Sequence, residues 1–276
     1  MRILVTGGAG FVGTNLIKQL LSDGHNVTSI DNYNTGKKEN HIEGCHYIEA
    51  DITEYSFPIV YDLVFHMAAI ARIQPSFESP EKYIDTNFSG TYNIVRYCTK
   101  NNIPLTYAGS SSHHSGKFKN PYTFSKDLGE DIIKLYQEHF GLKASIARFY
   151  NVYGPYQLTE GGYTTLIGRW LNNIQNDIQC VIYGDGEKRR DFTHVDDIVD
   201  GLIRIMKQEA YGHVFEFGRE QNHSVNEVAK MLNITPEYED NKPGEAQNTL
   251  SDSSLAKDIL AWTPKINLQD YLKEQL

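Results

Sequence analysis

The chain is short of several things, and each shortage excludes a class of protein. It has only three cysteines, Cys45, Cys98 and Cys180, far apart and without metal-ligand spacing. An odd, sparse set makes no disulfide framework, so a reducing, cytoplasmic setting is expected. No apolar run approaches the roughly 20 residues that cross a bilayer. No signal-peptide pattern precedes the first apolar segment, so no membrane partner and no targeting segment are expected. Positive charge is scarce: 26 Lys and Arg against 35 Asp and Glu give a net charge of −9. Such a chain is poorly suited to nucleic-acid backbones, and a phosphorylated small ligand would need cations gathered locally. Repeats and low-complexity segments are also missing. What remains, 40% apolar and 22% charged in 276 residues, is enough for one large domain or a domain with a smaller appendage.

Residues 2–6 form a short apolar, β-branched run, as a buried parallel strand requires. The run leads into Gly7-Gly-Ala-Gly-Phe-Val-Gly13 and then residues 14–21, apolar at 16, 17, 20 and 21. Gly8, Gly10 and Gly13 satisfy G-x-G-x-x-G, and Gly7, Gly10 and Gly13 a wider spacing. Such glycines let the backbone approach a pyrophosphate, which then sits on the positive end of a helix. Plain turns also use glycine, but here a strand precedes and a helix follows. A second strand over 26–30 ends at Asp31, where an acid accepts ribose hydroxyls and repels a 2′-phosphate, favouring NAD over NADP. Alone, Asp31 would read as a strand-end turn residue, and Lys37 and Lys38 would pull the other way.

The alternation continues. A strand over 46–50 ends at Asp51 and Ile52, a place for an adenine contact. Another over 63–66 leads to Met67, Ala68 and Ala69, small enough to pass beside a cofactor. A helix is expected over 80–98 with Asn87 inside it, and a strand over 105–108 ends in Gly109-Ser-Ser-Ser112. This implies a doubly wound parallel α/β sheet of the Rossmann type over 1–150, with ligands beyond the carboxyl ends of the strands. From 151 to 276 the alternation weakens into a smaller mixed α/β lobe, some of which may rejoin the first domain.

Tyr122 and Lys126 stand four residues apart at the head of a further helix, hence on one face. An ammonium near a phenol favours the phenolate, lowering a pKa that is ordinarily about 10. Such a tyrosine can do acid–base work near neutrality. A packing tyrosine beside a surface lysine gives the same spacing, so the pair gains weight only from the nucleotide site upstream.

Together these motifs resemble the extended short-chain dehydrogenase/reductase family, specifically its nucleotide-sugar epimerases and dehydratases. The resemblance runs from the glycine loop through Asp31-Asn32, Asp51-Ile52, His66-Met-Ala-Ala69, Asn87, the serine run and Tyr122…Lys126. It continues through Arg148-Phe-Tyr-Asn151 and Arg190-Asp-Phe-Thr-His-Val-Asp-Asp197, in the family's order. It implies a catalytic serine, tyrosine and lysine. Anchored on Gly116 the serine is Ser111, with Ser110 and Ser112 open. It further implies that NAD is held by Gly7, Gly10, Phe11, Val12, Gly13, Asp31, Asn32, Asp51, Ile52, Met67, Ala68, Ala69, Asn87 and Tyr150, besides Tyr122 and Lys126. A UDP-sugar would be held by Ser111, Tyr122, Asn151, Val181, Tyr183, Arg190, Lys242 and Thr249, and the active form would be a homodimer.

Family dehydratases carry an acidic pair after the catalytic serine or threonine, and decarboxylases a glutamate. Here the run is Ser112-His113-His114-Ser115-Gly116, so 4-epimerisation is favoured, with dehydration or decarboxylation the alternative and a non-catalytic NAD sensor the alternative of another class. Two adjacent histidines point different ways, so no metal is expected there; an imidazole facing solvent or substrate is. Lys188 and Arg189 beside Arg190 are expected to be solvated. Asp196-Asp197 should open a helix, and Leu260-Ala-Trp-Thr-Pro264 should pack structurally. The resemblance also implies that Thr249, small at the position that limits the sugar pocket, admits N-acetylated sugars.

Overall fold

Five strands lie where the first half of the sequence places them, β1 (Arg2–Thr6), β2 (Asn26–Asp31), β3 (His46–Glu49), β4 (Leu63–His66) and β5 (Leu105–Ser110), and a further one, β6 (Ala144–Phe149), follows the helix that carries Tyr122. In the computed structural model, which describes residues 1–276, they form one sheet with a seventh strand, Val214–Phe217. The order across is Val214–Phe217, β6, β5, β4, β1, β2, β3, and every neighbouring pair is parallel. β4 and β5 are buried along their whole length, as near-continuous apolar runs covered on both faces should be.

One face of the sheet packs against α1 (Phe11–Ser22) and the helix Val195–Gln208, through Leu16, Leu20, Ile198 and Leu202. The other packs against the helices Thr91–Asn101 and Pro121–Phe140, through Ile94, Val95 and Ile133. Trp262 belongs to the first of these cores and its indole N–H donates to the carbonyl of Asp197 at 2.8 Å. The expected structural role of that C-terminal signature is therefore met. Asp196 and Asp197 lie in the first turn of Val195–Gln208, as expected. With Val214–Phe217 and Trp262 serving the first domain, the chain crosses the sequence boundary at 150 more than once. The rest of the second half packs its own core around Tyr153, Trp170, Ile182 and Leu272.

The helix expected over 80–98 is broken. Pro80–Ile84 and Thr91–Asn101 are α-helical, and Asp85–Gly90 between them is a π-turn. Such wide turns concentrate at functional sites. This one turns Asn87 inward, where its amide brackets Ile70, accepting from the N–H at 2.8 Å and donating to the C=O at 3.0 Å.

The helix Pro121–Phe140 has clear local causes. Asn120 caps it by accepting from the Thr123 N–H at 2.8 Å, proline takes the first position, and Gly141 ends it at φ +71°. At Gly129 a β-carbon would lie 2.4 Å from the Tyr107 hydroxyl, so glycine lets this helix close on β5. That approach carries Tyr122 and Lys126 to the end of β5.

Candidate active site

The sheet changes winding direction between β1 and β4, which pair so that Thr6 faces His66. Ligands of open parallel sheets lie in the crevice at such a point, and a cavity of about 730 Å³ runs along it. Gly7 is in the left-handed region at φ +70°, and a β-carbon there would lie 2.7 Å from the Cα of Ala68. A β-carbon on Gly13 would come within 2.2 Å of the Gly7 carbonyl oxygen. The loop is thus a backbone cradle into which no side chain fits, at the start of α1.

Asp31 ends β2 beside it. Its carboxylate accepts from the Ala9 N–H at 2.9 Å and the Tyr33 N–H at 2.8 Å, while burial pushes its pKa up. Lys38 is drawn off to Glu49 at 2.8 Å and does not reach the cavity. The wall facing a nucleotide ribose is therefore an acid, suited to hydroxyls and unsuited to a 2′-phosphate.

At the far end of the crevice the Tyr122 hydroxyl donates to Ser110 Oγ at 3.1 Å. Ser110 is the last residue of β5. Ser111, expected to be the partner, opens the following 3₁₀ turn and lines the same cavity without contacting Tyr122. The chain turns away from the strand after Ser110, and Ser110, Ser111 and Ser112 all line the cavity beside Tyr122. Burial raises the Tyr122 pKa, opposed by the Ser110 hydrogen bond and then by the charge of Arg72. The Lys126 ammonium lies 4.1 Å from the centre of the Tyr107 ring, and burial pulls its pKa down to about 7, with Glu130 opposing. In the free protein the ammonium is turned onto the Tyr107 ring, while the Tyr122 hydroxyl is turned onto Ser110. The ammonium makes no ion pair and has no hydrogen-bond acceptor in the protein, and it lines the cavity. A buried cation facing a crevice suits ribose hydroxyls, so cradle, Asp31 and Lys126 together fit a nicotinamide dinucleotide.

Most other expected residues share this cavity: Phe11, Val12, Asn32, Ile52, Met67, Ala68 and Ala69 towards the nucleotide, and Asn151, Val181, Tyr183, Arg190, Lys242 and Thr249 towards the second lobe. Three cofactor assignments do not. Asp51 stands outside, accepting from Asn32 at 2.7 Å and from Thr53. Asn87 is behind the wall, its amide engaged by Ile70 and Ser125. Tyr150 is buried and donates to Glu216 at 2.6 Å. Strand-end residues can face either way, and the sequence does not say which.

The histidines face solvent, the first of the two expected orientations: the side chain of His114 is 52% exposed and that of His113 37%. His113 pairs with Asp127 at 2.8 Å and His114 with Glu216 at 2.5 Å; neither lines the cavity. Glu130 lies near His113 and Asp127, but it is already held by Arg148 at 2.6 and 3.0 Å, so that cluster has its cation. Lys188 is not solvated: it is buried, lines the cavity and pairs with Glu245 at 2.9 Å, which also lies 3.6 Å from Arg190. Arg189 is tied to Glu227 at 3.0 Å. Lys242 sits 3.4 Å from the centre of the Tyr183 ring. Sequence reasoning missed Arg72 and Arg169, both in the cavity wall; a lone arginine outside a motif carries no signal.

A parallel sheet with a glycine cradle at its switch point, an acid after the second strand and a serine-bound tyrosine beside a buried lysine define a dinucleotide-dependent enzyme. The model of the NAD dependent epimerase/dehydratase family matches residues 3–218, and the chain belongs to that family. Its cofactor is NAD. It is 29% identical to a UDP-N-acetyl-alpha-D-glucosaminuronate decarboxylase of Bacillus cytotoxicus, over all of this chain and 96% of that one. It is also 29% identical to a putative UDP-glucose 4-epimerase of Methanocaldococcus jannaschii, over 98% of this chain and 96% of that one. Among solved structures, the UDP-glucose 4-epimerase of Thermotoga maritima with UDP-glucose superimposes with a TM-score of 0.92 at 27% identity, covering 99% and 96% of the two chains.

Proposed function

We propose that the protein interconverts UDP-sugars epimeric at C4 through a transient 4-ketone. The observation that carries this reading is the Tyr122 hydroxyl on Ser110 at 3.1 Å, with no carboxylate beside the pair. Elimination of water needs a further acid and base near the reacting carbons. The residues that follow Ser110 and Ser111 are Ser112 and His113; neither is a carboxylate, and His113 is turned onto Asp127 outside the cavity.

The chemistry that NAD supplies when bound is reversible hydride transfer. Tyr122 takes the proton from the C4 hydroxyl as the C4 hydride leaves, and returns it when the hydride comes back to the other face. Ser110, with Ser111 next to it, holds the same oxygen by hydrogen bonds. Lys126 holds the nicotinamide ribose and adds a positive charge that favours the phenolate once ligands fill the crevice. Gly7, Gly10 and Gly13 cradle the pyrophosphate, and Asp31 takes the adenosine ribose. Arg190 grips the sugar-nucleotide diphosphate with a planar fork, aided by Lys242 and Lys188. Asn151 and Tyr183 frame the nucleotide, and Thr249 borders the sugar. Incubation with UDP-glucose or UDP-galactose, or with their uronate or N-acetylated forms, and detection of the 4-epimer by NMR tests the reading. A 4-keto-6-deoxy product instead of an epimer would replace it with dehydration.

A homodimer is part of this reading. The helices Thr91–Asn101 and Pro121–Phe140 pack together and leave Tyr92, Leu135 and Phe140 exposed. Tyr92 meets Tyr136, and Tyr136 meets Phe140, at ring separations of 6.1 and 4.7 Å. Such a patch suits a second copy; a monomer by light scattering would remove it. No helix is long and apolar enough to cross a membrane, and the free thiols fit a reducing cytoplasm.

A further inference from the structure

Arg72 and Arg169 stand at the sugar end of the cavity with no assigned work. Arg72 follows the small-residue turn after β4 and holds φ +89°. A side chain rarely adopts that backbone, which persists where surrounding structure enforces it, often at ligand sites. The enforcement is visible on both sides. Asn87 brackets Ile70, the Tyr83 hydroxyl donates to the Ala71 carbonyl at 3.0 Å, and Arg72 Nε donates to the Tyr163 carbonyl at 3.0 Å. The Tyr83 ring also packs edge-on against Tyr122, centres 6.2 Å apart. Arg72 is thereby fixed beside the catalytic hydroxyl, close enough for its charge to act on Tyr122.

Arg169, on the helix Leu166–Gln175, donates from Nε and Nη2 to Thr164 Oγ1 at 3.0 and 2.8 Å. Thr164 follows Tyr163, so one short segment holds both guanidinium groups, and Arg72 has the Arg169 charge near it as a like charge. Two cations losing hydration side by side are unfavourable without an anion. None comes from the protein: the ion-paired arginines are Arg148, Arg189, Arg190 and Arg204. The diphosphate end differs, because Lys188 and Arg190 already share Glu245.

We propose that Arg72 and Arg169 receive a carboxylate borne on C5 of the sugar, so that the site prefers UDP-hexuronates to UDP-hexoses. This rests on the UDP-sugar reading. The C4 hydroxyl must meet Tyr122, and C5 adjoins C4, so a C5 substituent lies within reach of the wall that Arg72 and Arg169 share with Tyr122. A flat carboxylate matches the guanidinium fork, and the diphosphate has its own cations at the other end. The charge on the sugar is what makes the paired arginines stable together.

The test is calorimetric binding of UDP-glucuronate, UDP-glucose and UDP to the NAD-loaded protein and to its Arg72→Gln and Arg169→Gln variants. The expectation is that UDP-glucuronate binds about ten- to hundredfold tighter than UDP-glucose, the ratio of one charge-assisted contact or more. Either variant should erase most of that ratio with UDP bound as before. Arg169→Gln leaves the strained turn untouched, so it keeps the test valid if Arg72→Gln fails to fold. Equal or weaker binding of UDP-glucuronate, or an unchanged ratio in Arg169→Gln, would overturn the inference. Turnover of neutral sugars alone sinks the inference and leaves epimerisation standing. Release of CO2 from UDP-glucuronate upholds the acidic preference and sinks epimerisation.

Discussion

Replacing Lys126 by methionine should abolish turnover and yet stabilise the protein freed of NAD. Lys126 is 3% exposed, and burial moves its pKa from 10.5 to about 7. At about 1.4 kcal/mol per unit, holding this ammonium in the crevice costs roughly 3–5 kcal/mol. The unfolded chain keeps the proton up to pH 10.5, whereas the folded chain keeps it only below about 7. Between those values the unfolded state binds more protons, so stability rises with pH across that window. Methionine fills a similar volume without the charge, and gives up a cation–π contact with Tyr107 worth about 1–2 kcal/mol. A net gain of about 2–3 kcal/mol is expected at and below neutrality, shrinking towards pH 10.5. Urea unfolding of both proteins at about pH 6.5 and about pH 9.5 reads it directly. A variant less stable than its parent at the lower pH, or a gap that ignores pH, would refute the reasoning.

Tyr122→Phe should eliminate turnover while NAD still binds, measured by epimer formation and bound-cofactor absorbance; appreciable residual activity removes the tyrosine from its role. Ser110→Ala should cost about a hundredfold or more in kcat and Ser111→Ala less. The reverse order of effects would return the catalytic contact to Ser111. Gly129→Ala should destabilise by about 1–3 kcal/mol, because its β-carbon must displace the buried Tyr107 ring, and an unchanged Tm would contradict that. Asp31→Ala should narrow the preference for NAD over NADP, read from the two affinities by fluorescence titration.

The fold was legible wherever a local rule and a global one agreed. β1, β4 and β5 run into turns rich in small residues, β2 into an acidic end, and the parallel sheet follows from the repeated alternation. The strand Val214–Phe217 was less visible, since nothing in four residues says which sheet they will join. The π-turn at Asp85–Gly90 was invisible because helical periodicity survives one widened turn. In the site, backbone requirements such as Gly7 and Gly13 left a sequence trace, as did the Tyr122–Lys126 spacing. Direction did not. Asp51, Tyr150, His113 and His114 sit at or just after strand ends, where one residue of rotation separates the cavity from a partner within the protein. Arg72 escaped notice for a further reason: its meaning comes from Tyr163 and Arg169, about a hundred positions away.

Hydrogen leaves C4 and returns to the same carbon within the crevice, with Tyr122 handling only the hydroxyl proton. The most direct measurement is conversion of a UDP-sugar to its 4-epimer in D2O without added reductant, followed by NMR at C4. The epimer should form with no deuterium on C4, since the hydride never reaches solvent. Deuterium at C4, or a product other than the epimer, would contradict the account.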